Sequence, residues 1–194
     1  MNKIKIVDIS TLIPGPMATS LLVKHLGAMV IKFEDANQLD ALANMRPSKD
    51  GVGLGYLELI KNKKVLKIDF RSQLKKIKDE LKDATVFIHN FKQNRIFKMG
   101  FAFEDVIKIN PAIIYISVMG YPESSVMAGK GAHDLNILAL SGYLDNQSKL
   151  GEVLPLPVLL MADTFTSYYL ITKLMSTLLK GETGVHLQIS MLEA

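Results

Sequence analysis

The chain has 194 residues, enough to bury a proper core, and one domain over 1–194 is the default count. Its 48% hydrophobic and 22% charged residues exclude a disordered tail, and a net charge of +4 is too mild to argue for nucleic acid. Cysteine is absent, which excludes disulfides, thiolate nucleophiles and cysteine zinc sites. No apolar run reaches the roughly 18 residues expected of a membrane span. The N-terminus is a short basic tip followed directly by Ile4–Ile9, too brief for a secretory segment, so the expected location is cytoplasmic. His25, His89, His133 and His186 show no metal-ligand spacing, and no metal is predicted.

In chain order, Ile4–Ile9 reads as a buried strand ended by Ser10-Thr11 and the Pro14-Gly15-Pro16 break. Met17, Leu21, Leu22 and Leu26 follow helical spacing, with Gly27 as the stop. Met29–Glu34 is a second strand, and strand, helix, strand at this length predicts a parallel βαβ unit. Asp35–Gly55 has no period and reads as a long functional or mobile loop. Further strands are predicted at Val65–Asp69, Thr85–His89, Ile113–Val118 and Val185–Ile189. Helices are predicted at Leu74–Leu81, with Ser72 as its cap, at Phe103–Ile109, at His133–Leu140 and at Thr164–Lys180. Met119–Lys130 reads as a Gly- and Ser-rich loop, and Val153–Leu160 as an apolar run interrupted by Pro155 and Pro157. The predicted fold is a mostly parallel, doubly wound, Rossmann-like α/β sheet with helices on both faces. The turn after the first strand lacks G-x-G-x-x-G, which disfavours NAD and flavin.

Several segments, in one order over essentially the whole chain, resemble the family III CoA-transferase and α-methylacyl-CoA racemase group. Ile6–Ile9 through Pro14-Gly15-Pro16-Met17-Ala18 is similar to its opening strand and G-P-x-A turn. Leu26-Gly27-Ala28-Met29-Val30-Ile31-Lys32-Phe33-Glu34 resembles L-G-A-D-V-I-K-V-E, and Lys61–Asp69 its basic N-R-x-K-R stretch. Asn110-Pro111 to Tyr115, then Gly120-Tyr121, resembles N-P-x-L-I-Y followed by G-Y-G. Gly181–Gly184 through Ser190-Met191-Leu192-Glu193-Ala194 is similar to the run ending S-M-x-E-A. Gly131-Ala132-His133-Asp134-Leu135-Asn136 and Ser141-Gly142 resemble the racemase pattern G-H-D-x-N-Y-x-x-x-S-G, with Ile137 in place of its Tyr.

The resemblance implies an acyl-CoA substrate, with coenzyme A as the thioester carrier and no metal, NAD or flavin. In a racemase, His133 and Asp163 are the two bases that move a proton between the faces of the α-carbon, through an enolate. Amides near Asp134 would hold the enolate oxygen. In a transferase, Asp163 is the acylated nucleophile. Lys61, Lys63, Lys64, Lys92 and Gly131 are the candidates for holding CoA. The bland readings stand beside these: His133-Asp134 as a helix cap pair, Asp163 as an N-cap, and the lysines as a solvated basic turn.

The family's first-half pattern is matched here, and its members carry a further small domain and close into an interlocked dimer. The resemblance therefore implies a fold truncated relative to that two-domain form, completed by a homodimer or a second chain. Three functions follow: a racemase-like isomerase, a CoA-transferase, and a non-catalytic or split homologue. The racemase reading comes first on the His133 motif.

Overall fold

The computed structural model describes residues 4–147 and 159–194. Its strands are β1 (Lys5–Asp8), β2 (Met29–Asp35), the short hairpin pair β3 (Ser48–Lys49) and β4 (Val52–Gly53), β5 (Lys64–Ile68), β6 (Val86–His89), β7 (Ile114–Met119) and β8 (Val185–Ser190). Its helices are α1 (Pro14–Leu26), α2 (Leu54–Ile60), α3 (Lys75–Leu81), α4 (Gln93–Lys98), α5 (Phe103–Ile109), α6 (Asp134–Leu140), α7 (Tyr143–Gln147) and α8 (Met161–Leu179). Six strands form one sheet in the order β5-β2-β1-β6-β7-β8, and every neighbouring pair is parallel.

The chain moves outward from β1 to β2 and β5, then returns to β1's other side and moves outward again. Strand order thus reverses between β1 and β6, the place where open parallel sheets bind ligands. Alternation along the strands divides the core. Val7, Ile31, Phe87 and Tyr115 point to one face, under α3, α4 and α5. Ile6, Val30, Ile88 and Ile116 point to the other, under α1 and α8. Both faces are covered, so these strands read as continuous apolar runs.

The expected strands are all present within a residue or two. Gly27 adopts φ 63° beyond α1, and its N–H bonds the Leu22 and Val23 carbonyls. Helix α1 starts at Pro14, earlier than the apolar spacing suggests, because a proline in the first turn forfeits no helical hydrogen bond.

Four expectations need correction. The segment read as a loop over Asp35–Gly55 contains a 3-10 turn (Ala41–Asn44) capped by Asp40, the β3–β4 hairpin, and the start of α2. Tertiary contact holds α2, since the Tyr56 hydroxyl donates to the Glu34 carboxylate at 2.8 Å. Ser72 does not cap α3; its hydroxyl donates to Asp69 in the preceding turn at 2.7 Å. Helix α4 follows β6 where no helix was read. Helix α8 begins at Met161, which puts Asp163 inside its first turn rather than at its cap. The apolar run Val153–Leu160 lies outside the described residues except for Leu159 and Leu160.

Candidate active site

The turn leaving β1 is held from several directions. Gly15 passes so close to Ser10 that a Cβ there would sit 2.1 Å from its hydroxyl oxygen. Beneath the turn lies Asp8, fully buried. Its Oδ1 accepts the Ser10 N–H at 2.8 Å and the Ser10 hydroxyl at 2.6 Å, and its Oδ2 accepts from Thr19 Oγ1 at 2.9 Å. Two buried lysines complete the cluster, Lys32 at 3.5 Å and Lys63 at 4.0 Å. Burial pushes the Asp8 carboxyl up, but the two ammonium charges and the Ser10 bonds outweigh it and hold it below its ordinary value. Asn90, just after β6, accepts the Thr11 N–H at 3.0 Å and donates to the Thr11 carbonyl at 2.8 Å. The carboxyl ends of the two strands flanking the switch point are thereby tied together.

Next to this turn Asp134 and Asp163 come together, with His133 adjoining Asp134 at the start of α6. Gly120, at the end of β7, meets Ala132 so closely that a Cβ would lie 2.4 Å from the alanine's own. That contact sets where α6 begins. His133 precedes α6 and is exposed; its N–H donates to Asn136 Oδ1 at 3.1 Å. Asp134 turns inward and is 4% exposed. Its Oδ1 accepts the Asp163 N–H at 3.1 Å, so α6 supplies the cap that Leu160 cannot give α8. The half-buried Asp163 carboxyl is raised to about 6, by burial first and the Asp134 charge second, partly offset by His133. The resemblance gave the Asp134 amide as a donor to the enolate oxygen; in the structure its carboxylate also accepts the Asp163 N–H.

The CoA-contact candidates do not gather. Lys61 and Lys64 are exposed, with Glu58 at 3.7 Å and Glu80 at 4.0 Å. Lys63 is turned inward, with its Nζ donating to the Pro16 carbonyl and to Thr19 Oγ1, both at 2.7 Å. Burial pulls its ammonium down to about 8. These three lie where the chain enters β5, whereas Lys92 lies beyond the carboxyl end of β6. Gly131 is exposed with open space around it.

Lys92 instead lines an open groove of about 530 Å³ with Arg71, Arg95, Lys98, Phe70 and Met99. A narrower cavity of about 230 Å³ adjoins it over the ends of β1 and β2, bounded by Thr11, Phe33, Asp40 and Arg95. Arg95 stacks on Phe91 at 4.2 Å. Arg71, Arg95 and Lys98 of this groove were not among the sequence candidates; Arg71 lies just beyond the edge strand β5, and Arg95 and Lys98 lie on α4.

His89 and His186 serve the core and edge. The His89 Nδ1 accepts the Phe91 N–H at 3.2 Å, so Nε2 carries the proton and faces the Tyr115 hydroxyl at 2.7 Å. That hydroxyl donates to the Phe101 carbonyl at 2.8 Å. Burial drives His89 down to about 3, which keeps it neutral. His186 bonds Ser117 at 2.8 Å and stacks on Phe103. Among the described residues no group of His, Asp and Glu could hold a metal ion, and no helix is long and apolar enough to cross a membrane.

The family model for CoA-transferase family III matches residues 1–194. The chain belongs to this family. Its relatives include the human succinyl-CoA:glutarate CoA-transferase, 30% identical over 95% of this chain and 43% of the relative. The Escherichia coli formyl-CoA:oxalate CoA-transferase is 27% identical over 98% of this chain and 47% of its own length. A family protein described as CAIB/BAIF, from Brucella suis, superposes with a TM-score of 0.84 at 23% identity, over 98% of this chain and 52% of that one. The chain spans about half the length of these family III relatives. The fold expectation holds. Of the expected activities, racemisation finds no support among these relatives, and family III transfer chemistry fits them better.

Proposed function

We propose that this chain is the CoA-binding, acyl-accepting half of a family III CoA-transferase, with Asp163 as the nucleophile. The observation that carries the reading is the Asp163 carboxyl: half-buried, in the first turn of a long helix, and raised to about 6 beside Asp134. At neutral pH it is mainly ionised yet more basic than an ordinary carboxylate, which suits attack on a thioester carbonyl. The new C–O bond makes a mixed anhydride, the C–S bond breaks, and CoA leaves as thiolate. Thiolate attack on the aspartyl carbonyl then releases the acyl group as a carboxylate and leaves CoA on Asp163 as a thioester. A second acid repeats the two steps in reverse and departs as its CoA ester. Lys92, Lys98 and Arg71, on the groove over the sheet's carboxyl edge, are the cations suited to the nucleotide phosphates of CoA.

The racemase reading rests on the motif at His133, which directly precedes α6 and the Asp134 that meets the Asp163 N–H. It requires His133 to take or give the α-proton. In both readings the chain corresponds to about half the length of the relatives. Incubation with succinyl-CoA in deuterated water, with and without hydroxylamine, separates the activities. Transfer is expected to give a hydroxamate at Asp163 and no α-deuterium. Deuterium exchange that depends on His133, without a hydroxamate, would overturn it.

A further inference from the structure

The carbonyls of the turn after β1 are taken by side chains from four other parts of the fold. Lys32 of β2 donates to the Ser10 carbonyl, and Asn90 to that of Thr11 at 2.8 Å. Ser167 of α8 donates to the Pro14 carbonyl at 3.0 Å, and Lys63 to that of Pro16 at 2.7 Å. Ser167 is fully buried, and the same hydroxyl lies 2.9 Å from the Asp163 carbonyl. One hydroxyl proton thus serves two acceptors, one on the turn and one on the residue proposed as nucleophile. Thr166, also fully buried, makes only the local version of this contact, to the Ala162 carbonyl at 2.6 Å. A mere helix-backbone bond would serve α8 equally well without touching the turn.

Lys63 is the counterpart on the turn's far side. A buried ion cluster such as Asp8, Lys32 and Lys63 is weak evidence for stability, because apolar replacements of such groups are often neutral or better. What the cluster does here is geometric. Lys63 bonds the Pro16 carbonyl and Thr19 while lying 4.0 Å from Asp8, so it ties the start of α1, which carries Pro14, to β1.

We infer that Ser167 and Lys63 are positioning residues that register the first turn of α8 against the β1–α1 turn, and so hold Asp163 in place. The inference rests on Asp163 being the reacting carboxylate, and it assigns neither residue a contact with substrate. Ser167 acts directly, through the shared hydroxyl, and Lys63 acts one step removed, through the proline turn.

The test compares S167A, K63M and the control T166V in the full chain by two readouts. One is the titration midpoint of the Asp163 carboxyl, followed by carboxyl carbon NMR and assigned with D163N. The other is the rate of hydroxamate formation at Asp163 from succinyl-CoA. S167A is expected to lower the midpoint from about 6 and to slow adduct formation about tenfold. K63M is expected to move both the same way by less, and T166V to leave both within twofold of the parent. An unmoved midpoint in S167A and K63M, or an equal change in T166V, would overturn the inference. If the parent forms no adduct while S167A still shifts the midpoint, the positioning role stands and the acyl-transfer reading falls.

Discussion

Two carboxylates beside the same turn have opposite fates. Asp8 is fully buried yet held below its ordinary value, because two lysines and two serine bonds saturate it. Asp163 is only half-buried yet raised to about 6, by burial first and the Asp134 charge second, with His133 offsetting only part of this. Burial raises both groups. At Asp8 the two lysines and the Ser10 bonds outweigh it, whereas at Asp163 a second carboxylate adds to it. A group whose charge is left uncompensated is the one suited to chemistry.

The sharpest way to break this contrast is to remove Asp8. D8A leaves Lys32 and Lys63 buried without their shared anion, and a loss of about 3–5 kcal/mol is expected in denaturant melts. Because the Asp8 value is depressed, its contribution is present above the unfolded carboxyl range near 3.9 and fades as pH falls through the folded value. Asp163 should show the reverse sign. Its folded value near 6 lies above the unfolded one, so the folded state binds the extra proton and stability falls as pH rises from about 4 to 6. D163N is therefore expected to melt about 2–4 °C higher at pH 7, with the gain gone by about pH 4.

Smaller effects sharpen the assignment of neighbours. D134N retains an acceptor for the Asp163 N–H but removes the charge, so the Asp163 midpoint should drop part of the way while stability changes by less than about 1 kcal/mol. Combined K92A and K98A is expected to weaken CoA binding about tenfold in calorimetry, from loss of charge-assisted bonds. K61A should leave both binding and stability unchanged to within about 0.5 kcal/mol, as for an exposed pair.

Much of the sheet was legible, for a specific reason. Ile6-Val7 and Ile113–Ile116 are apolar on successive residues because both faces are covered, and that run is hard to mistake. Helices α2 and α4 were not legible. Each is short, α4 has only Ile96 and Phe97 as apolar residues, and α2 is held through Tyr56 and Glu34, a contact 22 residues apart in sequence. The resemblance to family motifs pointed to His133, Asp134 and Asp163, but the contact between Asp134 and the Asp163 N–H was not legible. Only the folded chain turns Asp134 onto the Asp163 backbone. Lys63 sits between two exposed lysines in a basic run, and nothing local says that it alone points inward. Ser167 is one hydroxyl among several on α8, and its partner Pro14 is 153 residues away.

The contrast between the two carboxylates can be measured in a single experiment. Carboxyl carbon shifts of the aspartates, followed from pH 2 to 9 and assigned with D8N and D163N, report both groups at once. The account expects Asp163 to titrate near 6 and Asp8 to change only below the ordinary carboxylate range. An Asp163 midpoint near the ordinary carboxylate value of about 4 would contradict it.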